Sequence, residues 1–423
     1  MASPFFSLIV PSRDRAVLLR QTLPTILAID FPDCEIIVSD NNSSDDTRAV
    51  VESAMARDSR LRYVRADRSL SMCDSFEFGL HAAKGEFIVF GSDDDAFVTQ
   101  SLRYAATVIE RHQSKEVLFG AAAYWHPDVP DLEQRGVLTC CRGSGLVYEI
   151  PSKVAIEGWN RFEFPKYTNL FPKILKCVTH RDVFAAAQKV TGKFFVPPYP
   201  DASAVCQVVA HVDRYHFLDI PLYVGGISPR GNSGLEFARK RMFDAYFELF
   251  DHDLLEGCPY PMRYTHGSHW LATQILFQRH YPEAFAGEIH FDEYFQLVFS
   301  ELVRFSLRDD VTEEMAQLKA WMHQHYGSDA AFVALQAKAE ELRPKTGNEN
   351  PGALYKVARA VYRKIKAFRR RGYRADGRAA NIAEAARMIG KVAAQRFEAA
   401  PKEAVRINSV EEMAALAKRA AFG

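Results

Sequence analysis

Short apolar runs alternate with stretches of helical spacing through the first hundred residues. Phe6–Val10 is an apolar run that stops at Pro11, and Val17–Leu27 carries Leu19, Leu23, Ile26 and Leu27 on one helical face. Glu35–Val38 is strand-like. Asp46–Ala56 then sets Val50, Val51, Ala54 and Met55 on one face, with Ser43 or Ser44 as its cap. Leu61–Val64 reads as a further strand, and a helical Phe76–Ala83 leads through Gly85 into Phe87–Phe90. Strands alternating with helices predict an α/β unit with a mainly parallel central sheet flanked by helices. Ligands of such sheets bind beyond the carboxyl ends of the strands. Two polar clusters fall there: SDNNSSDDT after Val38 and GSDDD after Phe90.

From about residue 236 the pattern turns helical. Thr312–Tyr326 opens on Thr-Glu-Glu and stops at Gly327, and Ser328 starts a second helix through Leu342. PKTGNENPG (Pro344–Gly352) has the composition of a linker. Beyond it Leu354, Val357, Val361, Ile365 and Phe368 recur at helical spacing among Lys356, Arg359, Arg363, Lys364, Lys366 and Arg369–Arg371. The expected organisation is an α/β unit over 1–235, a helical region over 236–343, a linker over 344–352 and a basic helical tail over 353–423.

Charge sharpens that division. The chain of 423 residues is neutral overall, yet from Pro351 onward it has 17 Lys+Arg against 6 Asp+Glu, a net of +11, which leaves −11 for the rest. A basic amphipathic helix suits either an anionic lipid surface or docking on the acidic body. Nucleic acid fits less well, because aromatics and further basic patches are missing around it. The opening residues read as a strand rather than a leader peptide, and no apolar run reaches about 18 residues, so no spanning helix is expected. Seven cysteines without a repeated CxxC suggest a reduced, cytoplasmic setting.

Asp93, Asp94 and Asp95 follow FIVF directly. Three adjacent carboxylates repel one another unless a cation neutralises them, and hard oxygen ligands at a strand end suit Mg²⁺ or Mn²⁺ bridging to phosphates. The plainer alternative is a solvated acidic turn before a helix starting near Ser101. No GxxxxGK[ST], GxGxxG or GxSxG occurs, which disfavours ATPases, dehydrogenases and serine hydrolases. His266 and His269 in YTHGSHW lack a third ligand for zinc.

Three segments carry a family resemblance, in order: LIVPSRDR, EIIVSDNNSSDDT and LSMCDSFEFGLHAAKGEFIVFGSDDD. Together they resemble the family 2 glycosyltransferases of the GT-A fold, closely over residues 5–105 and more loosely over 106–235. The resemblance implies an inverting, metal-dependent transferase. Such an enzyme would take a UDP- or dTDP-sugar as donor and a saccharide or lipid-linked hydroxyl as acceptor, in making cell-surface polysaccharide; the basic tail, not the resemblance, suggests a cytoplasmic place at the inner face of a membrane. By position, Pro11, Ser12 and Arg15 would line the nucleotide pocket, and Asp40 and Asn41 would meet the base. Asp93 would approach the ribose and Asp94 the metal, whereas a strict D-x-D count selects Asp95. Asn41 stands where relatives often have Asp, and Arg13-Asp14 replaces their Tyr-Asn pair.

In TGKFFVPPYPDASA, Asp201 falls where the family keeps its general base; its alternative role is N-cap of a helix Ala202–Ala210. Arg230 in ISPRGNSG falls where relatives close over the diphosphate. A binding or scaffold protein without turnover, and a nucleotidyltransferase, are the rival readings; PSRDR lacks the glycines usual in the latter.

Overall fold

The structure is a computed structural model and describes residues 3–140, 143–162, 169–231, 244, 253–306, 309–341, 374–399 and 401–420. The expected alternation is present. β1 (Phe6–Ser12), α1 (Ala16–Leu27), β2 (Cys34–Asp40), α2 (Thr47–Met55), β3 (Leu61–Arg65), α3 (Met72–Ala82) and β4 (Phe87–Phe90) follow one another. Phe6–Val10 and the whole of β2 are buried, as expected of parallel strands covered on both faces. α3 starts four residues before the expected Phe76, because Ser71 caps it by accepting the Asp74 N–H. Asp45 reaches across to accept the Ala16 N–H at 2.8 Å, so the α1 start is held by the loop after β2.

The rest of the sheet comes from β5 (Ala96–Phe97), β6 (Glu116–Trp125), β7 (Val137–Cys140), β8 (Val147–Pro151), β9 (Cys177–His180), β10 (Arg214–Ile227), β11 (Arg374–Arg378) and β12 (Val405–Arg406). Its path runs β12-β8-β10-β6-β9-β4-β1-β2-β3. β4, β1, β2 and β3 are parallel, and so are β6 and β10. β9 enters between β4 and β6 in the opposite direction, and β8 runs against β10. The sheet is therefore mixed beyond β4, where the periodicity of the first hundred residues had no reach.

Flanking it are α4 (Ser101–His112), α5 (Ser152–Asn160), α6 (Arg181–Thr191) and α7 (Pro200–His211). The helical region follows as α8 (His266–His280), α9 (Phe291–Phe305), α10 (Thr312–Tyr326) and α11 (Ala330–Glu341). α10 has its expected bounds, and Gly327 at φ +71° ends it. These helices share one apolar cluster with α5 and α7, built around Trp159, Tyr294 and Phe295.

The C-terminal segment behaves differently from the expected tail. The stripe Leu354–Phe368 lies outside the described residues, but the part from Arg374 is built into the body. β11 pairs with β7, and β12 adds to β8. α12 (Ile382–Glu398) packs on α1, β5 and β10, placing Ile382, Ala385, Ile389 and Ala393 in the same core cluster as Leu19 and Leu23. Phe397 stacks on Tyr104 with ring centroids 3.8 Å apart. α13 (Val410–Ala420) lies against α5, where Arg161 bonds Glu411 at 3.0 Å. From Ile382 onward the apolar faces of α12 and α13 are buried against the body. Among the described residues no helix is long and apolar enough to cross a membrane, and the six described cysteines are buried free thiols.

Candidate active site

The carboxyl ends of β1 and β2 form one wall. Pro11 and Ser12 pair in register with Ser39 and Asp40, and the ladder closes with Asn41 N–H donating to the Ser12 carbonyl at 2.8 Å. Asp14 and Asn42 both adopt positive φ, +52° and +57°. The two loops are stitched there: Asp14 N–H donates to Ser43 Oγ, and Ser44 N–H donates to Asp14 Oδ1 at 2.7 Å. Asp14 thus shapes the loop. Asp40 is buried; it accepts the Ser43 N–H at 2.8 Å and the Tyr63 hydroxyl, and Arg65 Nε lies 3.6 Å away.

Asn41 has another occupation. Its amide donates to the Leu70 carbonyl at 3.0 Å and accepts the Leu70 N–H at 2.7 Å. Both ends of the carboxamide hold the loop that leads into α3. In this structure Asn41 fixes the path of that loop.

The acidic triplet follows β4, and its three carboxylates point three ways. Asp93, 1% exposed, accepts Ser12 Oγ–H at 2.8 Å and an Arg15 Nη1–H at 3.1 Å. Burial pushes the Asp93 carboxyl up to about 6, although Arg15 acts to lower it. Burial also works against the Arg15 charge, but Asp93 and Asp94 more than offset this and raise it. Asp95 is turned into β10, where it accepts the Gly226 N–H at 2.6 Å and the Tyr223 hydroxyl. Burial, then the neighbouring Asp94, holds its carboxyl well above the usual range.

Asp94 is the open one. Ser92 Oγ donates to its Oδ1, and no described residue hydrogen-bonds Oδ2. The backbone here is tightly enclosed. His126 Nε2 lies 3.3 Å from the Asp94 carbonyl, and a Cβ on Gly226 would come within 1.9 Å of that same oxygen. A Cβ on Gly231 would fall 2.0 Å from Asp94 Oδ2. The Gly225-Gly226 pair at the end of an apolar run was the signal of close backbone approach. Nothing in the sequence marked His126 or Tyr223.

The unshared carboxylate oxygen of Asp94 is a hard donor suited to a divalent cation. Among the described residues no cluster of three or more His, Cys, Asp or Glu stands ready for a metal. His266 and His269 both contact the Tyr199 ring, with centroids 5.7 and 4.8 Å away.

Asp201 lies in the first turn of α7, whose N-cap is Tyr199 and which has no side-chain cap. The expected N-cap alternative is therefore not realised. Its carboxylate accepts no hydrogen bond from a described residue; Lys173, Lys176 and Tyr223 lie within electrostatic reach. Burial raises the Asp201 carboxyl above the usual range, against the lowering effect of Lys173 and Lys176. The loop before it is pinned by Glu77, buried on α3, which accepts the Phe194 and Phe195 N–H groups at 3.2 and 3.1 Å. Tyr223 contacts Asp95 and lies near Asp201, linking the base candidate to the triplet. Arg230 follows β10 with its side chain 60% exposed, 3.9 Å from Asp128.

In open α/β sheets ligands bind beyond the carboxyl ends of the strands, where these polar loops lie. Residues 7–131 match the family model for Glycosyl transferase family 2. Over 100 residues the chain is 41% identical to the GalNAc(5)-diNAcBac-PP-undecaprenol beta-1,3-glucosyltransferase of Campylobacter jejuni, covering 23% of this chain and 32% of that one. It is 26% identical over 121 residues to a PGL/p-HBAD biosynthesis glycosyltransferase of Mycobacterium tuberculosis, covering 28% of this chain and 47% of that one. The matches thus span between about a third and a half of those relatives. S. aureus TarS 1-349 in complex with UDP-GlcNAc is 17% identical with a TM-score of 0.48, over 75% of this chain and 80% of that one.

Proposed function

We propose that the protein is an inverting glycosyltransferase, moving a sugar from a UDP- or dTDP-sugar to a hydroxyl of a saccharide or lipid-linked acceptor. The observation that carries this is the division of labour in the acidic triplet. Asp93 is tied to Ser12 and Arg15, Asp95 is tied to β10, and Asp94 alone keeps an oxygen free at the carboxyl edge of a family 2 domain.

In this reading Pro11, Ser12 and Arg15 border the nucleotide, and Asp93 is held in place to meet the ribose. Asp40 and the Asn41-fixed loop shape the base pocket. Asp94 would hold Mg²⁺ or Mn²⁺, which when bound neutralises charge on the departing diphosphate. The geometry favours Asp94 over Asp95, because both oxygens of Asp95 already bond to β10.

Asp201 takes the proton from the acceptor hydroxyl as that oxygen bonds to the anomeric carbon and the bond to the diphosphate breaks. A carboxylate raised by burial and free of hydrogen bonds is a stronger base than an ordinary one. Arg230, next in the chain to the Gly231 that packs on Asp94, would stabilise the leaving diphosphate.

The test is a thermal-shift screen of nucleoside diphosphates with and without Mn²⁺, followed by donor turnover with acceptor present. The reading fails if no nucleoside diphosphate shifts unfolding and no sugar nucleotide is consumed. A cytoplasmic enzyme held at the inner face of an anionic membrane is the location that fits the +11 segment. Flotation with anionic vesicles that persists unchanged in high salt would contradict that placement.

A further inference from the structure

β6 and β10 leave the sheet side by side, and the two loops they feed remain bonded beyond it. Trp125 pairs with Ile227, and His126 N–H then donates to the Ile227 carbonyl at 2.9 Å. Two residues later Asp128 Oδ2 accepts the Ser228 Oγ–H at 2.9 Å. The same oxygen lies 3.9 Å from Arg230 Nε. Ser228 is fully buried, and its Oγ also accepts the Arg230 N–H at 3.1 Å, while Gly231 N–H donates to the Ser228 carbonyl at 3.0 Å. That turn presses Gly231 against Asp94 Oδ2. One carboxylate oxygen therefore organises the turn that borders the open oxygen of the triplet, and faces its only nearby described cation, Arg230.

We propose that Asp128 is a positioning residue that anchors the Ser228–Gly231 turn beside Asp94 and holds the Arg230 guanidinium until a nucleoside diphosphate draws it away. This rests on the donor-site reading above. The two duties are chemically separable. The Ser228 hydroxyl needs an acceptor oxygen, which an amide supplies equally well. Arg230 needs the charge. At 60% and 39% side-chain exposure the Arg230–Asp128 pair is of the weak kind, so a diphosphate displaces it readily.

The experiment is a binding cycle with UDP and dTDP, in Mn²⁺, on the full chain. Asp128→Asn keeps the Ser228 hydrogen bond and removes the competing charge. Its nucleoside-diphosphate Kd should fall by ~2–5-fold, the range of an exposed ion pair. In an Arg230→Ala background the same substitution should leave Kd unchanged. Asp128→Ala loses the anchor as well, so turnover should drop and Asp128→Asn should restore it. Equal tightening with and without Arg230 overturns the proposal, because it marks a general charge effect. So does an Asp128→Asn Kd equal to or weaker than wild type, or an Asp128→Ala with unchanged turnover. Wild-type protein that binds no nucleoside diphosphate overturns the donor site itself, whereas normal wild-type binding with a flat cycle overturns only the role of Asp128.

Discussion

Removing residues 351–423 distinguishes a detachable tail from a structural clasp. α12 buries Ile382 and Ile389, 0% and 1% exposed, in the core cluster that also contains α1 and the end of β10. Full burial of such side chains contributes about 1.5–3 kcal/mol each, or about 3–6 kcal/mol for the two. The Phe397–Tyr104 stack adds about 0.5–1.5 kcal/mol. α13 contributes Val410 and Leu416, both buried. Against a total stability of about 5–15 kcal/mol, losing all of these removes most of the margin.

A single substitution reads the same contact without deleting the chain. Ile389→Ala should cost about 2–5 kcal/mol, whereas Arg387→Ala, on the exposed side of the same helix, should stay within about 0.5 kcal/mol. Thermal unfolding and limited proteolysis of the four proteins make the comparison. The expected order is full length and Arg387→Ala together, Ile389→Ala well below, and the truncated chain without a cooperative transition. A truncated protein with the full-length Tm and turnover would refute the clasp, as would Ile389→Ala and Arg387→Ala behaving alike.

Three further outcomes can be checked. Asp94→Asn should abolish Mn²⁺-dependent stabilisation by nucleoside diphosphates while leaving the metal-free Tm in place, because among the described residues only Ser92 hydrogen-bonds that side chain; a retained Mn²⁺ effect would move the metal elsewhere. Asp201→Asn should lower transfer by ~10²–10⁴-fold with donor binding unchanged. The raised Asp201 carboxyl should also give wild-type kcat/KM an acid limb above the ordinary carboxylate range, activity falling as pH falls through it; weakened donor binding with near-normal turnover would make Asp201 structural. Glu116, fully buried at the start of β6 and opposite Thr179, is pushed by burial up to about 8 from 4.5. Its contribution to stability is therefore complete below about pH 4.5 and lost as pH rises to about 8, with a slope of up to about 1.4 kcal/mol per pH unit. Glu116→Gln should flatten that slope in denaturant titrations, and an unaltered slope would assign it to other groups.

How much of this was legible beforehand follows from the range of each physical signal. Local periodicity is a property of a few neighbouring residues, so β1, β2, β4, α1 and α10 were visible as apolar runs and helical faces. The clustered polar residues after Val38 and Phe90 likewise marked the carboxyl edge of the sheet, because a buried parallel strand must hand over to solvent there. The entry of β9 against its neighbours depends on pairing with β4 and β6, segments far from it in the chain, and no local pattern encodes it.

The same limit applied within the site. The sequence displayed three equivalent aspartates after FIVF. Only the arrival of Gly226 and Tyr223 on Asp95, and of Ser12 and Arg15 on Asp93, makes Asp94 the one with a free oxygen. Asn41 read as a base contact, and only the fold shows that its carboxamide also bonds the Leu70 main chain. In the C-terminal segment, composition showed charge and amphipathic spacing together, which suit a lipid surface and a protein core equally well. The stripe Leu354–Phe368 lies outside the described residues; for α12, which the sequence reading did not single out, the covering surface is α1 and β10, and that surface exists only once the chain has folded.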